Sequence, residues 1–169
     1  LPPPTPPPLP LPIQALLAGL PPALPVYCDG SFLQNRILNQ PTAAYATIWP
    51  TLPHLNIAQQ TLPHINPTNN TAELSGIISS LETKTPNPLQ PLHIHTDSSY
   101  SLSSIHSDLP RHRLPAISMP PHQNHPLIRQ ITNLCRSSPR IVIWQHVKAH
   151  TIVHDYHSWY NNQADVAAK

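Results

Sequence analysis

Four acidic side chains are the residues of this 169-residue chain whose types and order could do chemistry together. They are Asp29, Glu73, Asp97 and Asp165, four of the seven acidic residues in the sequence. Asp29 interrupts a run of apolar residues, where a carboxylate is costly unless it is paired or binds a metal ion. Carboxylate oxygens suit Mg²⁺ or Mn²⁺, and a cluster without cations must share protons instead. The sequence therefore predicts a coupled acid cluster or a divalent-cation site.

Each of these acids also has a purely structural interpretation. Asp29 precedes a glycine and could lie in a turn. Glu73 follows Asn70 by three residues, which is the spacing of a capping box. Asp97 precedes a serine and could cap the next helix, and Asp165 could be a first-turn acid favoured by the helix dipole. Singly the four acids are weak signals, and their joint order is the stronger one.

Short extended runs separated by prolines predict the elements that position the acids. Three successive strands are expected at residues 26–32, 42–49 and 54–62, and two more at 92–97 and 140–147. Helices are expected at 70–83 with Asn70 as N-cap, after Ser98, at 127–137 and at 159–169. Gly76, inside the first of these helices, is interpreted as a point of close approach between helix and sheet. Three strands followed by β-α-β alternation predict an α/β fold, a mixed sheet with helices on both faces.

Composition excludes several classes of protein. The formal charge is only +2 with twelve histidines counted as neutral, so strong autonomous binding of nucleic acid is not expected. Two cysteines outside any CxxC pair provide neither a disulfide scaffold nor a zinc knuckle, and a reducing compartment is the default. The longest apolar run is too short to span a membrane. The chain opens with Leu1 and has neither Met nor a charged n-region, so no secretory signal is visible and the chain is interpreted as part of something longer.

The first 25 residues differ in composition from the rest. They hold eleven of the 25 prolines and no charged side chain. Residues 1–12 are expected to form a polyproline II spacer, which is either a tether to an upstream domain or a PxxP ligand for an SH3-type partner. Residues 1–25 are therefore predicted to be a linker and residues 26–169 one domain. Prolines between 110 and 126 predict irregular structure there.

Five local motifs carry a family resemblance. YCDGS at Asp29, NNTAEL at Glu73, HTDSSYS at Asp97, VKAH at His150 and NNQADVAA at Asp165 together resemble the ribonuclease H domain of a retroviral reverse transcriptase. The proline-rich lead and the many histidines resemble the deltaretroviruses, the human T-cell leukaemia virus group. The resemblance implies a five-stranded sheet of order 3-2-1-4-5 with the strand of Asp29 at its centre. It also implies hydrolysis of RNA paired to DNA.

The resemblance assigns chemical roles to these residues. Asp29, Glu73, Asp97 and Asp165 correspond to the family's metal-binding carboxylates, which would hold two Mg²⁺ ions, or Mn²⁺ as a substitute, with Asp29 between them. His150 corresponds to a histidine that shuttles a proton or helps the product leave, although its loop lacks the usual glycine. An alternative from spacing alone is a zinc site formed by four histidines. These are His146, His150, His154 and His157.

The resemblance further implies partners and contacts. Asn69 and Asn70 would reach the minor groove of an RNA:DNA hybrid, and Tyr100 would touch the DNA strand. The full set of implied nucleic-acid contacts is Gly30, Ser31, Asn69, Asn70, Ser98, Tyr100, Arg111 and Arg113. The basic helix that some relatives have after residue 109 is expected to be absent, so the upstream polymerase and connection domains of the same polyprotein would supply most of the affinity. The expected location is the virion and the host-cell cytoplasm.

Two other functions fit parts of the pattern. A degenerate ribonuclease H-like module would bind hybrid or connect domains without cleaving. An integrase-like core would share the fold and the carboxylate chemistry but use three acids.

Overall fold

A computed structural model describes residues 4–35, 40–111, 124–148 and 155–169 of the chain. Its centre is one five-stranded sheet of order β3-β2-β1-β4-β5, which confirms the expected fold class. The strands are β1 (Leu24–Asn35), β2 (Gln40–Ile48), β3 (Ile57–Gln60), β4 (Leu92–Thr96) and β5 (Val142–His146). The helices are α1 (Leu11–Leu16), α2 (Asn69–Glu82), α3 (Ser99–Arg111), α4 (His125–Ser137) and α5 (Tyr156–Ala168), with a 3₁₀ turn at Pro53–Leu55.

The central strand β1 joins the two halves of the sheet. It pairs antiparallel with β2, where Asp29 lies opposite Ala46, and parallel with β4, where Leu24 lies opposite Leu92. Strands β4 and β5 are also parallel, and Thr96 lies opposite His146. Because the carboxyl ends of β4 and β5 lie at the same edge of the sheet, residues that follow them become neighbours.

Helices cover both faces of the sheet. Strand alternation places Val26 and Cys28 in a large core with α2, α3 and α4, and Tyr27 in a smaller core with α5 on the opposite face. By the same alternation Asp29 points to the side of α5. Gly76 is the middle of α2, which packs directly on β1 and β2.

The cap of α2 differs from the expected one. Thr68 is the N-cap, because its hydroxyl accepts a hydrogen bond from the Thr71 N–H at 3.0 Å while the Thr71 hydroxyl accepts one from the Thr68 N–H at 2.8 Å. The prediction of Asn70 as N-cap is therefore wrong, and Glu73 is not the partner in a capping box. The expected cap at Ser98 is confirmed, since its Oγ accepts from the Ser101 N–H at 3.1 Å.

Prolines interrupt regular structure less than expected. The prediction of polyproline II through residue 12 is wrong at its end, because α1 begins at Leu11 with Pro12 in its first turn. Likewise α4 begins at His125 with Pro126 in its first turn. Proline fits there because the first turn of a helix leaves its N–H groups without intrahelical partners. Residues 112–123 lie outside the described residues. No helix in the described part of the chain has the length and apolar character that crossing a membrane requires.

Candidate active site

The fold brings three of the four candidate carboxylates together. Asp29 on β1, Glu73 in the second turn of α2 and Asp97 directly after β4 each offer an oxygen within 4.8 Å of the others. Asp29 is only 2% exposed, so its carboxyl group is enclosed by the sheet and the helices on it. Three chain segments far apart in sequence therefore build one acidic cluster.

The electrostatics of the cluster favour the neutral forms of Asp29 and Glu73. Burial, followed by the negative charge of Asp97, raises the pKa of Asp29 well above its usual range. Burial and then the charge of Asp29 raise the pKa of Glu73 still further. The Asp29 Oδ1 atom accepts a hydrogen bond from the Gly30 N–H at 2.9 Å, whereas Asp29 Oδ2 and Glu73 Oε2 are buried and have no hydrogen-bond partner among the residues that the structure describes. Hard oxygen ligands without partners fit a divalent cation, which would compensate the burial of charge.

Asp165 lies beside this cluster and outside its closest group. Its charge contributes to the raised pKa of Asp29, so it faces the same region from α5. Its Oδ2 atom forms an ion pair at 3.0 Å with Lys169 Nζ, one helical turn further on. The fourth candidate carboxylate therefore already has a cationic neighbour.

A glycine of β1 permits α2 to approach the sheet. A Cβ atom on Gly30 would lie 2.5 Å from the Glu73 nitrogen and 2.6 Å from the Ala72 carbonyl carbon, distances that real Cβ contacts essentially never show. A Cβ atom on Gly76 would lie at an ordinary 3.5 Å from its nearest neighbours. The interpretation of Gly76 as the close-approach residue is therefore wrong, and Gly30 has that role. The sequence signal was a glycine inside a strand.

A histidine that sequence reasoning did not assign to this site lies next to Asp97. The ring Nε2 atom of His146 lies 3.2 Å from the Asp97 carbonyl oxygen, at hydrogen-bonding distance. His146 ends β5, so the parallel register with β4 places it there. His146 has a backbone carbonyl as its partner, whereas the ring of His157 contacts Tyr27 and Gln145. These two members of the alternative zinc site thus have separate partners, and His150 and His154 lie outside the described residues.

The candidate nucleic-acid contacts have varied positions. Asn69 and Asn70 begin α2, and Asn69 is exposed. Ser31 Oγ donates a hydrogen bond to the Ala168 carbonyl, which ties β1 to the end of α5. Tyr100 packs against the large core, and its hydroxyl accepts a hydrogen bond from Asn124 Nδ2 at 2.8 Å.

The remaining candidate contacts are Gly30, Ser98, Arg111 and Arg113. Gly30 and Ser98 lie beside the acidic cluster, next to Asp29 and Asp97 respectively. Arg111 is the last residue of α3. Arg113 lies outside the described residues, as does the candidate catalytic residue His150.

The comparison with protein families decides the assignment. The RNase H family model, described as "RNase H", matches residues 21–169. The chain belongs to the RNase H family. It is therefore a ribonuclease H enzyme, as its motifs predicted. A comparison with curated proteins finds no match.

Solved structures share the fold of this RNase H. The solution structure of the PFV RNase H domain is 19% identical, with a TM-score of 0.62, and the match covers 86% of this chain and 91% of that one. A foamy viral protease-reverse transcriptase in complex with dsDNA is 21% identical, with a TM-score of 0.62. That match covers 86% of this chain and 91% of that one. The native protease-reverse transcriptase of Prototype Foamy Virus is 21% identical, with a TM-score of 0.59. That match covers 85% of this chain and 20% of that one.

Proposed function

We propose that this RNase H is a divalent-metal-dependent endonuclease that hydrolyses the RNA strand of RNA:DNA hybrids during reverse transcription. The observation that carries the proposal is the pair of buried, unpartnered carboxylate oxygens, Asp29 Oδ2 and Glu73 Oε2, in one cluster with Asp97. Asp29 is buried and Glu73 and Asp97 are partly buried, so holding three acids this close is costly as a purely structural feature, because their charges repel and the Asp29 carboxylate loses its hydration. Binding cations is the function that compensates this cost.

The carboxylates have distinct places in the proposed mechanism. Asp29, Glu73 and Asp97 would hold one Mg²⁺ or Mn²⁺ ion, and Asp29 and Asp165 a second one. When bound, such ions activate the attacking water and stabilise the leaving oxygen of a phosphodiester. The Gly30 N–H fixes the orientation of the Asp29 carboxylate through its Oδ1 atom, so Oδ2 keeps its direction. His150 would move a proton or assist product release.

The ion pair of Asp165 makes the two proposed cation positions unequal. Lys169 compensates part of the Asp165 charge at 3.0 Å. A cation bound between Asp29 and Asp165 must therefore compete with the Lys169 ammonium group for the Asp165 carboxylate. We expect this competition to weaken the binding of the second ion.

Substrate recognition is proposed to rest on shape and on the RNA 2′-hydroxyl groups, since the RNA sequence must not matter. Asn69 and Asn70 stand at the start of α2, close in sequence to Glu73, and would reach the minor groove. The remaining proposed contacts are Gly30, Ser31, Ser98, Tyr100, Arg111 and Arg113. Their polar groups would position the hybrid by its backbone and would not read its sequence.

The proposed context is a retroviral reverse transcriptase. The likeness to foamy viral structures supports this through the fold, and the five motifs support it through the sequence. Residues 1–25 would join the domain to upstream polymerase and connection domains, in the virion and the host-cell cytoplasm. The narrower proposal of a deltaretroviral origin rests only on the proline-rich lead, the histidine content and the local wording of the motifs.

Cleavage of a labelled hybrid tests the proposal. An RNA:DNA duplex labelled on the RNA strand is incubated with Mg²⁺, with Mn²⁺ or with a chelator, beside single-stranded RNA and DNA duplex. We expect Mg²⁺-dependent cleavage of the hybrid alone, and its loss in Asp29→Asn and Glu73→Gln. The matched control is Glu82→Gln, which changes an exposed acid at the far end of the same helix.

Other outcomes would favour the alternatives. Tight hybrid binding without cleavage under every metal condition would favour a degenerate module. Processing of viral DNA ends in place of hybrid would favour an integrase-like core. Normal cleavage by Asp29→Asn would contradict the assigned site.

A further inference from the structure

A cleft separates the proline-rich segment, defined here as residues 4–23, from the sheet. Its volume is about 920 Å³, within the range of sites that bind organic ligands or peptide side chains. One wall is formed by residues of the proline-rich segment, including Leu9, Ile13 and Leu17. The floor includes His93, His95, Ile143, Gln145, Tyr156 and His157. The two sides of the cleft therefore come from segments that are far apart in the sequence.

The floor is a part of the sheet that α5 covers incompletely. Helix α5 packs mainly against β1 and β2, whereas His93 and Gln145 belong to β4 and β5. Above these two strands, on this face, the proline-rich segment takes the place of a second covering helix. A half-covered apolar and aromatic surface gains stability when a further segment covers it.

Hydrogen bonds join the polar side chains of the floor to one another. The Gln145 side chain links two histidines, through Oε1 to His93 Nε2 at 2.7 Å and through Nε2 to His157 Nε2 at 3.0 Å. His157 Nδ1 in turn lies 2.6 Å from the Tyr27 hydroxyl. Burial lowers the pKa of His93 and of His157 and so favours the neutral form of both rings. An uncharged partner can cover this floor without stripping water from an ion.

The proline-rich segment has the complementary chemistry. It contains no charged side chain, and its prolines offer carbonyl groups without N–H groups. Leu9, Ile13 and Leu17, spaced four residues apart, are half-buried and line the cleft. Leu11 and Leu16 are 77% and 61% exposed and do not line it. One face of the segment is therefore directed at the floor.

Two local features hold the segment in this position. Gly19 adopts a φ of +79°, a left-handed conformation that reverses the chain after α1 and returns it to β1. The Gln90 side-chain Nε2 then donates a hydrogen bond to the Pro22 carbonyl oxygen at 2.7 Å. The returning chain thus reverses at Gly19 and is held to the domain at Pro22.

We propose that the proline-rich segment docks intramolecularly over this floor and closes one side of the cleft. The segment does not serve as a free spacer: its Leu9, Ile13 and Leu17 side chains line the cleft opposite the histidine floor, and the arrangement resembles the binding of proline-rich peptides by aromatic grooves. Because His157 stands in the first turn of α5, docking also braces the helix that carries Asp165. A proline-rich segment of another protein would be a competitor for the same cleft.

Paired variants of the full chain test this proposal. Ile13→Asp with Leu17→Asp places charges on the face directed at the floor, whereas Leu11→Asp with Leu16→Asp places the same charges on the exposed face. No residue of α1 is buried, so both variants keep the fold of the domain. We expect the imidazole NMR signals of His93 and His157 to shift only in the first variant.

A synthetic peptide with the sequence of residues 4–23 completes the test. The Ile13→Asp/Leu17→Asp variant is expected to bind the peptide at least tenfold more tightly than the unmodified chain or the exposed-face variant. In those two proteins the tethered segment competes at an effective concentration of the order of millimolar. Unchanged imidazole signals in the first variant, no peptide binding to it, or equal binding to all three proteins would each overturn the proposal.

Discussion

Replacing Gly30 with alanine should separate α2 from the sheet. The new Cβ atom would meet two backbone atoms of α2, at 2.5 Å from the Glu73 nitrogen and 2.6 Å from the Ala72 carbonyl carbon. An ordinary contact begins at 3.4 Å, so the strand and helix must move apart by about 0.9 Å. Backbone atoms cannot rotate away as side chains can, and the helix must move as a unit.

The structure gives this substitution a magnitude. Overpacking of a core costs about 1–3 kcal/mol, and a clash with two backbone atoms belongs at the upper end. We expect a loss of about 3 kcal/mol, which lowers Tm by roughly 6–12 °C for a domain of this size. Glu73, a proposed metal ligand, moves with the helix, and a displacement of about 1 Å at such a group can reduce the rate on the order of 100-fold.

Gly76→Ala is the matched control for Gly30→Ala. Its Cβ atom would lie 3.5 Å from the Asp29 carbonyl oxygen and from Cys28 Cβ, which are ordinary contacts. Because alanine is favoured over glycine in a helix interior by about 1 kcal/mol, this variant should be as stable as the unmodified chain or slightly more stable. Urea unfolding and hybrid cleavage measure both effects. A Gly30→Ala protein with unchanged stability and rate would refute the close-approach argument.

Three further predictions concern titration and cation binding. Glu73 has a raised pKa in the folded protein and an ordinary pKa near 4.5 in the unfolded chain, so without metal the free energy of unfolding should fall as pH rises above 4.5. Glu73→Gln should reduce this pH dependence, measured by urea unfolding with a chelator present. An unchanged pH dependence would contradict the prediction. Burial lowers the pKa of His93 from 6.5, so its contribution to stability is present at high pH and is lost as pH falls below about 6.5. His93→Gln should therefore weaken the fall of the free energy of unfolding below that pH. An equally steep fall in the variant would count against a buried neutral imidazole. Lys169→Met should tighten the weaker of the two Mn²⁺ binding steps several-fold, because Asp165 loses the ammonium group that pairs with it. Calorimetry measures both binding steps. Identical isotherms for the variant and the unmodified chain would show that the ion pair does not compete with the cation.

The sequence alone was sufficient for the fold class and for most of the acidic cluster. Strand alternation and helical spacing depend on neighbours within a few residues, and they predicted five strands and the helices after residue 68 to within a few residues of their ends. The motifs around Asp29, Glu73 and Asp97 named three side chains that the structure brings within 4.8 Å of one another.

Only the tertiary structure decided which atoms face each other. It placed Thr68 and not Asn70 at the helix cap, because the better hydrogen-bond geometry was available two residues earlier. It gave Gly30 the close approach to α2, and it brought His146 to the Asp97 carbonyl through the parallel register of two strands. Such contacts join residues far apart in sequence, and a local pattern contains no information about the distance between them. The partner of the proline-rich segment is of this kind as well, since its floor is built from strands and a helix that follow it by 70 residues or more.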